Sequence, residues 1–158
     1  MIFRHPFASD HRRFKLGADA LATFDRFRQI DPKSFEASGL MIGRTFDDGN
    51  AVVDEITTPG PLDKRSRFAC SLEDPSHQQR LDDAWEQSDG RSNYLGHWHT
   101  HPEPDPRPSD IDLADWRRRL SVETYPSDIL LFVIVGTERT RMWLGSRDEE
   151  IITLESLP

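Results

Sequence analysis

The stretch "NYLGHWHTHPEPDPRPSDIDLADWRRRL" (93–120) decides how this chain is read. It carries His97, His99 and His101 at every second position, then Pro102, Pro104, Pro106 and Pro108, then Ser109 and Asp112. Side chains alternate across a strand, so a strand over 93–101 turns all three histidines to one face. The prolines must end that strand and stiffen the loop behind it. Ser109-x-x-Asp112 ahead of a helical pattern is close to a capping box, which predicts a helix over 109–120 with Ser109 as its N-cap. A strand, a rigid loop and a capped helix would gather polar side chains at one strand end.

Apolar residues at 21, 24, 27 and 30 predict a helix within 16–30, ended by Asp31-Pro32. "SGLMIGRTF" (38–46) and "AVVDEITT" (51–58) read as strands joined by the hairpin signal Asp47-Asp48-Gly49-Asn50. A weaker strand covers 65–72, and a helix 74–88, with Pro75 near its first turn and Gly90 beyond its end. Strands follow over 128–136, 140–145 and 149–156. This order predicts an α/β or α+β fold, a sheet with helices on its faces, in one domain over 1–158.

Composition narrows the function classes. A formal net charge of −8 weighs against a general nucleic-acid binder. The basic clusters at 11–13, 63–67 and 116–120 read as solvated surface, with 63–67 set apart because it falls in a loop. No apolar stretch approaches the roughly 20 residues of a membrane helix, and the first residues lack an apolar signal core. The expectation is a cytoplasmic protein without membrane contact. Cys70, the one cysteine, excludes an internal disulfide and a multi-cysteine zinc site.

Neighbouring histidines of the run stand about 6.6 Å apart along the strand. Two can converge on one zinc at roughly 2.0–2.1 Å each, but three spread over about 13 Å cannot. His99 and His101 lie nearer the strand end, where an open metal site belongs; His97 then packs or hydrogen-bonds. Asp112, aimed back from the helix start, is the candidate third ligand, with Glu103 and Asp105 of the loop as alternatives. Two histidines, a carboxylate and a free position make the catalytic zinc pattern. A water at such a site needs a base that is not a ligand; Glu36, just before an apolar strand, is one candidate among 28 acidic residues. Trp98, on the opposite strand face, is expected in the core, and Cys70 is expected as a small buried residue.

Glu36 ahead of "GLMIG", then "HTHP" (99–102), six residues, Ser109, two residues and Asp112 resembles the JAB/MPN metalloprotease pattern, also called JAMM. The resemblance implies a cytidine-deaminase-like JAB/MPN domain, a central mixed sheet flanked by helices. It implies zinc held by His99, His101 and Asp112, Glu36 as general base and proton carrier, and Ser109 as donor to the oxyanion. The implied reaction is hydrolysis of a peptide or isopeptide bond. "VVDEITTPGPLDKRSRF", "HQQRLDDAW" and the histidine stretch resemble a compact bacterial group of integrative elements and CBASS antiphage operons. There the substrate is the C-terminal tail of a cGAS-like nucleotidyltransferase, attached to targets by an E1/E2-like ligase. The same resemblance places 58–72 where relatives carry an insertion that contacts a ubiquitin-like body, so Lys64, Arg65 and Arg67 either meet an acidic partner or face solvent. Processing of a ubiquitin-like sulfur carrier would use the same five residues. A RadC-like role on DNA lacks a basic surface here, and a non-catalytic MPN module would not need Glu36 and the ligands.

Overall fold

The computed structural model describes every residue except Thr124 and Pro126. Nine strands form one mixed sheet, in the order β10 (Ile152–Thr153), β9 (Thr140–Ser146), β8 (Ile129–Val135), β7 (Asn93–Thr100), β3 (Ser38–Thr45), β4 (Ala51–Ile56), β2 (Arg13–Leu16), β1 (Ile2–Arg4) and β11 (Glu155–Ser156). Its centre is the hairpin β3 and β4, then β7, β8 and β9. These are the strands with the longest apolar or alternating runs. Pairings β7–β8 and β2–β4 are parallel, and the rest antiparallel.

Helix α1 (Ala18–Phe27) packs on one face, where Phe24 and Phe27 meet Trp98. Leu131, Val133 and Val135 join that core. Their alternates Leu130, Phe132 and Ile134 point to the other face, under Trp116 and Leu120 of α3 (Asp110–Val122). A fully apolar β8 is what burial on both faces requires. Helix α2 (Ser76–Gln87) packs on β3 and β7. Among the described residues no helix is long and apolar enough to cross a membrane.

Three departures from the sequence reading have physical causes. Helix α1 ends at Phe27 rather than Ile30, because Arg28 turns extended (ψ 132°) and Gln29 becomes buried at 2% exposure. The segment 65–72 is no continuous strand but a small hairpin of β5 (Lys64–Arg65) and β6 (Cys70–Ser71). The segment 149–156 splits into β10 (Ile152–Thr153) and β11 (Glu155–Ser156), which pair with β9 and with β1 (Ile2–Arg4) at opposite ends of the sheet. The C-terminal segment thus bridges the two edges around buried Leu154 and covers both. Strands β1 and β2 (Arg13–Leu16) did not show in the sequence, being three and four residues long.

Strand β7 carries a bulge that matters for the site. Ile42 pairs with Tyr94 and Met41 with Gly96, which leaves Leu95 as the extra residue. Gly96 sits at φ +140°, and a Cβ there would stand 1.8 Å from the Leu131 carbonyl oxygen. The bulge resets the alternation, so Tyr94 and His97 share the α3 face and their rings meet edge-on at 5.5 Å.

Candidate metal centre and catalytic cleft

A cleft of about 1570 Å³ opens on the α3 face, with residues of α2, α3 and the 68–75 loop along its walls. Glu36, His97, His99, His101, Ser109 and Asp112 all line it. The strand-and-helix arrangement read from 93–120 brings the last four of these within one region.

His99 Nε2 and His101 Nε2 lie 3.0 Å apart. Asp112 Oδ1 is 3.2 Å from His99 Nε2, and Asp112 Oδ2 is 3.2 Å from His101 Nε2. Donors held 2.0–2.1 Å from a tetrahedral zinc stand roughly 3.3–3.4 Å from one another. With one ligand atom from each residue the three lie within 4.8 Å of one another, so two imidazoles and a carboxylate suit such an ion in chemistry and stand within reach of it. Among the described residues this is the one group of three candidate ligands. Burial works against a charge on His101, but Asp112 and Glu103 outweigh it and push its pKa up to about 9. Burial likewise opposes ionisation of Asp112, yet His101 and His99 hold its carboxyl well below the usual range.

The loop carboxylates that the sequence offers as alternative ligands have other partners. Glu103 accepts from His101 Nδ1 at 3.0 Å and from the Arg107 N–H at 2.9 Å, so it orients His101 from behind. Asp105 is paired with Arg141, away from the cluster. His97 stands apart from the ligand set: its Nε2 accepts from Arg119 Nη1 at 2.8 Å. Arg119, read as surface charge, turns inward and also pairs with Asp115 and Glu123, and Glu123 accepts from Tyr94. The sequence held one signal for this: Asp115 and Glu123 flank Arg119 at four residues on either side.

Ser109 is the N-cap of α3, and the capping box is complete. Ser109 Oγ accepts from the Asp112 N–H at 3.1 Å, and the Ser109 N–H donates to Asp112 Oδ2 at 2.7 Å. One helix start thus holds Asp112 Oδ2, and the Ser109 hydroxyl proton is left to donate elsewhere.

Glu36 is 8% exposed, and its carboxyl is raised by burial, with His99 and His101 pulling it down and Asp112 pushing it up. Its backbone is pinned from both sides: its N–H donates to Ser66 O at 2.7 Å, and its carbonyl accepts from Arg65 Nε at 2.7 Å. The next residue, Ala37, donates its N–H to Thr100 Oγ1 at 2.9 Å. Thr100 in turn donates to Gln29 Oε1, and Gln29 Nε2 donates to the Ser34 and Arg67 carbonyls. Sequence reading missed Gln29 and Thr100, because nothing near them in the chain marks a buried amide as a partner.

The basic loop also differs from expectation. Arg65 and Arg67 face inward onto the carbonyls of 31–36, and Lys64 pairs with Glu73. Trp98 is fully buried as expected, its indole N–H on Thr57 O at 2.9 Å. Cys70 is half-buried on the cleft wall rather than in the core, and burial raises its thiol pKa.

Residues 22–145 match the family described as prokaryotic homologs of the JAB domain. The chain belongs to the prokaryotic JAB family. A CD-NTase/cGAS isopeptidase of Vibrio cholerae serotype O1 is 38% identical over 128 residues, covering 81% of this chain and 78% of that protein. One of the same name from Escherichia coli is 35% identical over 130 residues, covering 82% and 79%. A protein of Desulfitobacterium hafniense solved in solution has a TM-score of 0.60 and 23% identity, over 89% of this chain and 88% of that one, and shares the fold. The mixed sheet with three helices is the JAB domain fold.

Proposed function

We propose that this JAB protein is a zinc-dependent isopeptidase. Its substrate would be a cGAS-like nucleotidyltransferase conjugated through its C-terminal tail, which it releases within an antiphage system. The observation that carries the chemistry is the convergence of His99, His101 and Asp112 at 3.0–3.2 Å in the cleft that Glu36 also lines. The substrate class rests on the two bacterial relatives, each named a CD-NTase/cGAS isopeptidase.

Zinc held by His99, His101 and Asp112 would supply Lewis acidity and bring the pKa of water toward about 7. Glu36 takes a proton from the attacking water as the water oxygen bonds to the carbonyl carbon. It then gives that proton to the amine as the C–N bond breaks. Burial suits it to this double duty, because it raises the proton affinity of the carboxyl. Ser109 donates its hydroxyl proton to the oxygen on which negative charge grows. Glu103 keeps His101 in one orientation throughout.

The test uses the tail of such a nucleotidyltransferase joined to a lysine of a carrier protein, with the chelator-treated and zinc-reloaded enzyme. Cleavage at the junction only after reloading is expected. An intact conjugate under zinc-loaded enzyme that cuts another ubiquitin-like fusion would overturn the substrate assignment.

A further inference from the structure

Ser38 begins β3, two residues after Glu36 and directly opposite His99 of β7. Residues opposite in an antiparallel pair, and residues two apart on a strand, share a face. Ser38 therefore stands on the site face, and it lines the cleft with Glu36, His99 and Cys70. It is 7% exposed. Its Oγ is the one buried side-chain nitrogen or oxygen among the described residues without a hydrogen-bond partner. The Cys70 thiol lies close enough to act on it, but a sulfur is a weak partner and the hydroxyl meets no nitrogen or oxygen within hydrogen-bonding geometry.

The contrast with its surroundings is informative. The other buried hydroxyls nearby are engaged: Thr57 with His77 and the Leu40 N–H, Thr100 with Gln29 and the Ala37 N–H. Folding disfavours a buried hydroxyl left without a partner. An alanine would fit the same backbone without that cost, so the orphan points to a partner that arrives with a ligand. A serine hydroxyl has three staggered positions about its Cα–Cβ bond. From the cleft wall, a rotation suffices for it to meet a group in the cleft.

We propose that Ser38 is a substrate-contacting residue whose hydroxyl completes its hydrogen bonding with an amide group of the bound chain beside the scissile bond. This rests on the isopeptidase reading. The hydroxyl can donate to a carbonyl or accept from an N–H, and a peptide offers both. Ser38 thereby fixes the substrate backbone relative to Glu36, two residues ahead of the strand. It carries no proton in the reaction.

The test compares Ser38→Ala with wild type in thermal midpoint, zinc content and steady-state kinetics, using the tail–lysine conjugate as probe. The expected result is an equal or higher thermal midpoint, equal zinc and a kcat/KM lowered about three- to tenfold. In a Glu36→Gln background, Ser38→Ala should weaken binding of the uncleaved conjugate by a similar factor. Unchanged kcat/KM and unchanged binding would overturn the proposal. So would a lowered thermal midpoint with activity falling only in step with zinc, which marks a structural role. If wild type fails on the conjugate, the isopeptidase reading itself fails, a result separable from the others.

Discussion

The two walls of the cleft are specified in different ways. On one, His99, His101 and Asp112 come from a strand end, a proline loop and a helix start within fourteen consecutive residues. Their geometry follows from strand alternation and one capping box. On the other, Glu36 has no local determinant. It is held by Ser66 and Arg65, thirty and twenty-nine residues on, and through Ala37 by Thr100 and Gln29. A site can thus pair a locally written set of candidate ligands with a carboxylate that only tertiary contacts place.

The comparison can be broken at either wall, and the effects should differ in kind. Loss of a ligand is the largest. His99→Ala or Asp112→Ala should abolish zinc binding and lower cleavage on the order of 10³-fold or more, read by metal content and rate together. Gln29→Ala strikes the other wall. It leaves Thr100 and the Ser34 and Arg67 carbonyls short of partners in a buried setting, so unfolding free energy should fall by about 2–3 kcal/mol in denaturant titration. Isolated zinc binding should survive below the melting range.

Between β4 and β5, the Asp63 side chain is fully enclosed and takes the His77 ring and the Gly60, Glu73 and Asp74 N–H groups. Burial raises its carboxyl, but those donors win and bring it from an ordinary 3.8 to about 2. A depressed acid contributes stability above its unfolded value and loses it as pH falls through its folded one. Between about pH 4 and pH 2 roughly 2 kcal/mol should disappear, and Asp63→Asn should flatten that part of the stability curve. The smallest effect separates neighbours in the basic loop. Arg65→Ala should lower kcat/KM about tenfold with zinc retained, by freeing the Glu36 backbone. Lys64→Ala, on an exposed ion pair, should change neither.

The same contrast explains what the sequence could show. The alternating histidines, the hairpin turn before Asn50 and Ser109-x-x-Asp112 are short-range signals, and each element they predict is present. The fate of Arg65, Arg67 and Arg119 was not legible, because a charged side chain facing inward looks identical in sequence to one facing water. Gln29 was assigned to a helix by the spacing of its neighbours, whereas its amide is needed three segments away. The bulge at Leu95, which brings Tyr94 beside His97, has only Gly96 as a marker. Strands β1 and β2 fell below the length at which alternation can be seen.

The central claim is that Glu36 acts on a substrate at a centre it does not help to hold. The most direct measurement compares zinc content and conjugate cleavage in wild type and Glu36→Gln. Equal zinc with cleavage lost only in Glu36→Gln is the predicted result. Zinc lost along with activity would make Glu36 part of the metal site, and equal cleavage by both would remove it from the chemistry.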